Sequence, residues 1–186
     1  LSVLHMHLDE RLCLEVQVLR GLRLALVLVP AGSFSMGSPA GEAGRYSDEG
    51  PVRTVTFDRP FYLGKYEVTQ AQWEAVMGTA PWDGRNFVRS NPRHPAVYIS
   101  WDDLHRELLS ELGPGWRLPT EAQWEKAARG SSDTRIWPWG NTPPDCSLAN
   151  YYFDTGSGEG RCGTPLDQGE AIYTSAVGSY PQGASP

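Results

Sequence analysis

The chain has 186 residues, 40% of them hydrophobic, and a formal net charge of −6 at pH 7. This length suits one domain with its own hydrophobic core and is short for two. The acidic balance excludes the broad positive surface that binding to nucleic acid or to an anionic membrane requires. Its 7 Trp and 8 Tyr argue against disorder, whereas 20 Gly and 15 Pro indicate much irregular backbone.

The longest apolar stretch, residues 12–30, does not have the pattern of a membrane span. Glu15, Gln17, Arg20 and Arg23 interrupt it, and charged side chains are costly in the hydrocarbon core of a bilayer. We therefore expect no transmembrane segment. The first residues show neither a basic start nor a small-residue cleavage site, so they indicate no compartment.

Alternating apolar residues predict strands in the first third of the chain. The alternation over residues 15–29 changes phase at Gly21, which indicates a hairpin. Phe34 and Met36 indicate a short strand after the turn at residues 30–32. Two further strands are predicted at residues 52–58 and 61–66, on either side of Pro60.

Capping residues and apolar spacing predict three helices. The first begins after Thr69, whose hydroxyl can cap the first turn, and ends at Gly78. The second and third each begin with a capping box, in which two side chains three positions apart bond to each other's backbone. The boxes and the apolar residues after them are Ser100 with Asp103, then Leu104, Leu108 and Leu112, and Thr120 with Gln123, then Trp124 and Ala127.

The other stretches are predicted to be loops. Residues 79–95 are rich in Pro and Gly, and so are residues 131–186, which are expected to contain short strands as well as loops, held in place by aromatic side chains. The tryptophans at helix or strand positions are expected in the core, and they are Trp73, Trp101, Trp116 and Trp124. For Trp82, Trp137 and Trp139 the pattern favours neither the core nor a binding surface.

The cysteines and histidines offer few ways to form a metal site, a disulfide or a catalytic group. Cys13, Cys146 and Cys162 lack the CxxC spacing of a structural zinc site. In an oxidising compartment Cys146 and Cys162 could close a Gly-rich loop as a disulfide, which would contribute about 3 kcal/mol. The alternative is that they stay two unpaired thiols. His5 and His7 could bind a metal together, although a position near a terminus favours an adventitious role, and His94 has no Cys or Asp at triad spacing, which favours a structural one.

Several short blocks of the sequence stand out when they are read together. They are LVLVPAGSFSMGS at 26–38, DEGP with VTF at 48–57, KYEVT at 65–69, HPAV with ISWDD at 94–103, RLPTEAQWE at 117–125, WPWG at 137–140, ANY at 149–151 and VGSYP at 177–181. In this order the blocks resemble the formylglycine-generating-enzyme (sulfatase-modifying-factor) family, and the resemblance covers residues 22–186.

The resemblance implies an α+β, C-type-lectin-like fold that is rich in loops, with a small twisted sheet and two to three short helices. It divides the chain into an N-terminal extension with the first strand, residues 1–21, and a formylglycine-generating-enzyme-like domain, residues 22–186. Members of the family continue into a GNVWEW-like and then an RGGS-like segment, near which the active enzymes place two cysteines. We therefore expect a domain that is incomplete at its C-terminus.

The activity that the resemblance implies is oxidation, by oxygen, of a cysteine in a substrate sulfatase to formylglycine, at a copper ion held by two thiolates. Soft thiolates suit Cu(I), but Cys146 and Cys162 match a structural pair of some relatives and not these ligands. We therefore expect the chain alone to be inactive, and a cysteine-bearing protein or peptide to be the substrate of the full-length protein. The alternative is a non-catalytic ligand-binding or structural module on the same scaffold, because a fold does not fix a function.

The resemblance also indicates candidate site residues. Glu49, in the DEGP block, would lie near the substrate groove, and is otherwise a solvated loop acid. Asn150 and the carbonyl of Tyr151 match the start of a calcium site, since such oxygens suit this cation. Glu170 stands close to the position of the acid that completes that site in relatives, which aligns with Gly169. Otherwise Asn150 bonds to its own loop backbone.

Overall fold

The structure is a computed structural model that describes residues 13–18, 22–130, 135–154, 159–162 and 174–185. Within these ranges, short strands and helices are separated by long turns and loops. The predicted α+β, loop-rich fold is therefore confirmed. Of the helices in the described part of the chain, none is long and apolar enough to cross a membrane.

The strands form small antiparallel sheets. In chain order they are β1 Cys13–Gln17, β2 Arg23–Val29, β3 Gly32–Met36, β4 Arg53–Phe57, β5 Phe61–Gly64, β6 Tyr152–Asp154 and β7 Glu159–Arg161. One sheet has the order β1-β2-β5, and the other two pair β3 with β4 and β6 with β7. In the first sheet Val27 lies opposite both Cys13 and Leu63. The hairpin and the three strands predicted after it are thus confirmed.

Two helices begin at the predicted caps. Helix α1, Gln70–Met77, follows Thr69, whose side chain accepts the Gln72 N–H, while Gln72 Oε1 accepts the Thr69 N–H at 2.9 Å. It ends at Gly78, in the left-handed conformation that glycine adopts without strain. Helix α3, Glu121–Arg129, begins with the same reciprocal pair between Thr120 and Gln123. Both predictions are confirmed.

The second helical region differs from a regular α-helix. Its capping box is present, since the Ser100 N–H donates to Asp103 Oδ2 at 2.8 Å. However, the segment Asp103–Leu108 is π-helical, and only its continuation α2, Leu109–Leu112, is α-helical. The Leu109 N–H reaches back five residues to the carbonyl of Leu104, which is the bond that defines the wider turn. Leu108 is nevertheless buried, as its apolar spacing predicts.

A cluster of buried apolar side chains forms a core between α1, the π-helical segment and the chain around them. Its members are Leu22, Trp73, Val76, Trp82 and Leu108. The indole N–H of Trp73 donates to Thr79 Oγ1 at 3.1 Å, so its polar atom is satisfied inside the core. The burial of Trp73 is confirmed, and Trp82, which the sequence assigned to neither place, is also in the core.

One buried polar side chain holds the loop that follows α1. Gln70 is only 1% exposed. Its Nε2 donates to the Arg89 carbonyl at 3.1 Å, and its Oε1 accepts the Asn91 N–H at 2.8 Å. The Gln70 N–H itself donates to the carbonyl of His94 at 2.8 Å. This side chain therefore satisfies backbone groups that the irregular loop cannot pair with itself.

Replacing Gln70 with an apolar residue of similar size is expected to destabilise the protein. In Gln70→Met the Arg89 carbonyl and the Asn91 N–H lose their partner, and we expect a loss of about 2 kcal/mol in the free energy of unfolding. Chemical denaturation measures it. The same substitution at the exposed Gln17 is the control, and equal losses at both positions would contradict the role of Gln70.

His94 lies at the buried end of the same loop, with Nδ1 2.9 Å from Thr174 Oγ1. Burial lowers the pKa of His94, and the nearby charge of Arg89 lowers it further. The ring is therefore neutral in the folded protein at neutral pH, which agrees with the structural role expected for it. His5 and His7 lie outside the described residues.

Acid is expected to destabilise the fold through His94. Because the pKa is lowered on folding, the unfolded chain takes up a proton first as the pH falls below about 6.5. The free energy of unfolding therefore decreases as the pH falls from this value towards the pKa of His94 in the folded protein. Thermal melts from about pH 7.5 to about pH 5.5 should reveal a smaller loss in His94→Gln than in the parent. The exposed His105→Gln is the control, and equal losses in His94→Gln and the parent would refute this assignment.

Candidate functional site

An open cleft of about 450 Å³ lies beside one face of α3. The other walls are the residues at the end of β3, residues 48–53 and residues 136–138. The lining includes apolar and charged side chains. The apolar ones are Trp124, Ile136 and Trp137, and the charged ones include Asp48, Glu49, Arg53 and Glu121. The cleft thus combines an aromatic wall with carboxylates.

An ion pair of α3 binds both polar backbone groups of Gly37. Glu125 Oε1 accepts the Gly37 N–H at 2.7 Å, and Arg129 Nη2 donates to the Gly37 carbonyl at 2.8 Å. Arg129 Nε lies 2.9 Å from the same Glu125 oxygen, and the side chains of Arg129 and Glu125 are only 17% and 20% exposed. Solvent therefore screens this pair much less than a surface pair. The pair fixes the end of β3 to α3.

Gly37 also brings two loops into backbone contact. Its φ is +94°, and a Cβ at this position would lie 2.5 Å from the carbonyl oxygen of Glu49. The next N–H, that of Ser38, donates to this same oxygen at 3.1 Å. Only glycine combines this conformation with so close an approach. The contact places Glu49 at the edge of the cleft.

The carboxylate of Glu49 is exposed and ionised at neutral pH. Its Oε1 accepts the Tyr46 N–H at 2.9 Å. This bond, followed by a bond with Ser38, lowers the pKa of Glu49, and the charges of Arg45 and Arg129 act in the same direction. Glu49 can therefore accept hydrogen bonds or attract a cation, but it is poorly suited to donate a proton. Its assignment to a substrate groove stays a prediction.

The aromatic wall of the cleft comes from α3 and from the turn at residues 137–140. Trp137 stacks on Trp139 with ring centroids 5.9 Å apart. The turn is closed by two backbone bonds between Trp137 and Gly140, of 2.9 and 3.0 Å. Asn141 Oδ1 accepts the Ile136 N–H at 2.8 Å, which holds the chain that enters the turn. The turn therefore presents Trp137 as a fixed surface.

The prediction that Trp101 and Trp124 lie in the core is wrong. Each is 61% exposed. Trp101 stacks on His105 at the start of the π-helical segment, with centroids 4.5 Å apart. On α3 the buried side chains are the polar Gln123 and Lys126, so the helix turns Trp124 outward into the cleft. Burial on α3 follows hydrogen bonding and not hydrophobicity, which the apolar pattern does not reveal.

The structure joins Cys146 and Cys162 in a disulfide, and Cys13 is a free thiol. The chain has 3 cysteines in all. The resemblance implies copper held by two thiolates, and these three cysteines do not fit that ion, because two of them are joined in the disulfide.

The predicted calcium site is described only in part. The carbonyl of Tyr151 accepts the Cys162 N–H at 2.9 Å, so one of its two lone pairs is already used. Glu170 lies outside the described residues. Within the described ranges, no group of three His, Cys, Asp or Glu side chains could hold a metal ion. A calcium site at Asn150, Tyr151 and Glu170 stays a prediction.

Residues 20–185 match the family of the sulfatase-modifying factor enzyme 1-like domain. Because the match extends over most of the chain, the protein belongs to this family, and the predicted resemblance is confirmed.

The relatives include proteins named as formylglycine-generating enzymes and proteins named as inactive. The formylglycine-generating enzyme of Thermomonospora curvata is 31% identical, over 70% of this chain and 57% of the relative. The inactive C-alpha-formylglycine-generating enzyme 2 of Bos taurus is 27% identical, over 65% and 54%. The solved structure of PvdO from Pseudomonas aeruginosa is 30% identical and superposes with a TM-score of 0.57 over 72% of this chain and 59% of PvdO. The chain spans about half the length of the curated relatives that it matches.

Gly37 is expected to tolerate no side chain. We expect Gly37→Ala to lower the free energy of unfolding by more than about 2 kcal/mol, because the new methyl group strains φ and collides with the Glu49 carbonyl. Gly78→Ala is the matched control: its φ is also positive, but no atom lies within 4 Å of the added Cβ. It should cost about 1 kcal/mol. Denaturation curves that rank the two variants the other way would contradict the close contact.

Proposed function

We propose that this domain binds a cysteine-bearing segment of a protein substrate in the cleft beside α3. Membership of the sulfatase-modifying factor family over residues 20–185 is the observation that carries the proposal. The chemistry of the cleft supports it. The rings of Trp124 and Trp137 offer apolar contact to an extended chain. The carboxylates of Asp48, Glu49 and Glu121 can accept the N–H groups of its backbone or attract a basic side chain.

We also propose that these 186 residues do not oxidise the bound cysteine by themselves. The chain supplies a single free thiol, Cys13, and β1, which contains it, does not line the cleft. The role of these residues is then to bind and orient the substrate, and the full-length protein supplies the oxidising centre if it is an enzyme. A relative named as inactive makes a purely binding module the second candidate.

Neutralising Glu49 is expected to weaken substrate binding without unfolding the domain. The affinity of a labelled sulfatase peptide that contains the cysteine should fall about threefold to tenfold in Glu49→Gln, because a charged acceptor is lost at a partly hydrated site. Fluorescence anisotropy measures it. Asp58→Asn, an exposed acid outside the cleft, is the control and should bind as the parent does.

One further measurement tests whether the cleft is the binding site, and a second distinguishes an oxidase from a binding module. If Glu49→Gln and Trp124→Ala both bind the peptide as the parent does, the cleft is not the site. Mass spectrometry of the peptide after incubation with the full-length protein, copper and oxygen then tests for the aldehyde in place of the thiol. Conversion identifies an oxidase, whereas binding without conversion identifies a binding module.

A further inference from the structure

The loop between β3 and β4 begins with a serine that is buried although its side chain is polar. Ser38 is only 3% exposed, and it follows Gly37, which α3 holds at the end of β3. The backbone N–H of Ser38 donates to the Glu49 carbonyl at 3.1 Å. A buried hydroxyl is costly unless it is hydrogen-bonded, so the partners of this side chain indicate its role.

The Ser38 hydroxyl lies between a cation and an anion. Arg45 Nε donates to Ser38 Oγ at 2.9 Å. After the bond from the Tyr46 N–H, a bond with the Ser38 side chain is the next cause of the lowered pKa of Glu49. An ionised carboxylate can only accept hydrogen bonds, so the hydroxyl is the donor. The bonds therefore run in one direction, from Arg45 through Ser38 to Glu49.

This direction strengthens the bond that reaches Glu49. Because the guanidinium donates to the hydroxyl oxygen, the O–H of Ser38 becomes a better donor. The guanidinium is itself close to the backbone beside Glu49, since a Cβ on Gly50 would lie 2.6 Å from Arg45 Nη2. The charge of Arg45 also contributes to the lowered pKa of Glu49, after the hydrogen bonds from Tyr46 and Ser38. Arg45 thus acts on the carboxylate both through Ser38 and through its charge.

A structural role of Glu49 in its own turn does not require Ser38. Glu49 Oε1 accepts the Tyr46 N–H and closes the short helical turn Ser47–Glu49. That bond uses one of about four acceptor positions of a carboxylate. The bond with Ser38 comes from outside the turn and restricts the orientation of the carboxylate, which remains exposed at the cleft.

A carboxylate that is already oriented binds a partner more tightly than a free one. An exposed glutamate samples several rotamers in water, and restricting them on binding lowers the affinity. Hydrogen bonds from rigidly held residues remove part of this loss before the partner arrives. Ser38 meets this condition, because the N–H and the carbonyl of Gly37 before it are both bound by α3.

We propose that Ser38 is a positioning residue for the Glu49 carboxylate and that Arg45 holds the Ser38 hydroxyl in place. The inference rests on the proposed function, in which Glu49 contacts the cysteine-bearing segment in the cleft. Ser38 and Arg45 favour the ionised form of Glu49 and fix its orientation. Arg45 does not line the cleft, so its effect on substrate binding passes through Ser38 and Glu49.

The test compares Ser38→Ala with Ser47→Ala, which removes an exposed hydroxyl from the same loop. NMR of the side-chain carboxyl carbon during a pH titration measures the pKa of Glu49. In Ser38→Ala this pKa should rise towards its ordinary value, because a donor to the ionised form is lost. The affinity for the labelled sulfatase peptide should fall about threefold. Ser47→Ala should leave both quantities as they are in the parent.

A double-mutant cycle separates positioning from a purely structural role. In the Glu49→Gln background, Ser38→Ala should change the affinity by less than about 1.5-fold, because the group through which it acts is gone. Arg45→Met should lower the affinity about twofold in the parent and lose this effect in the same background. Arg59→Met, at an exposed position outside the loop, is the control for the loss of a charge.

The pKa measurement needs no peptide, so it distinguishes failure of this inference from failure of the proposed function. An unchanged Glu49 pKa in Ser38→Ala overturns the positioning role, and so does an undiminished loss of affinity in the Glu49→Gln background. If the pKa rises in Ser38→Ala while Glu49→Gln binds the peptide as the parent does, Ser38 positions the carboxylate and the substrate does not use it. That result would contradict the proposed function alone.

Discussion

The polar attachment of α3 to β3 is the constraint on which the cleft depends. At one end of the strand Lys126, only 5% exposed, donates to the Gly32 carbonyl at 3.2 Å, and at the other end Glu125 and Arg129 bind Gly37. A buried ammonium group is costly unless it is compensated. Here the Lys126 Nζ lies 5.6 and 5.9 Å from the ring centroids of Phe34 and Phe57, whose faces attract a cation. The helix is thus attached to β3 by hydrogen bonds and charged groups.

This attachment decides what the other face of α3 presents. Because its inner face is occupied by Gln123 and Lys126, the large apolar side chain of the helix, Trp124, lies on the outside. An exposed indole beside carboxylates is unfavourable for a surface that meets only water, but it suits a surface that receives a peptide. The same attachment fixes Gly37, and through the backbone contact at Gly37 it fixes Glu49. The wall and the rim of the cleft therefore have one common support.

Local sequence signals predicted where helices and strands lie better than they predicted which side chains are buried. Hydroxyl caps at Thr69 and Thr120 and the alternation around residues 15–29 depend on neighbouring residues alone, and the structure confirms each. The exposure of Trp124 depends instead on partners about 90 residues away, at Gly32 and Gly37, which no periodicity encodes. The π-helical turn was missed for a similar reason, since Leu104 and Leu108 repeat at a spacing that α- and π-helices both accommodate. The DEGP block drew attention to Glu49, whereas the blocks that contain Trp124 and Trp137 gave no indication that these residues line the same cleft.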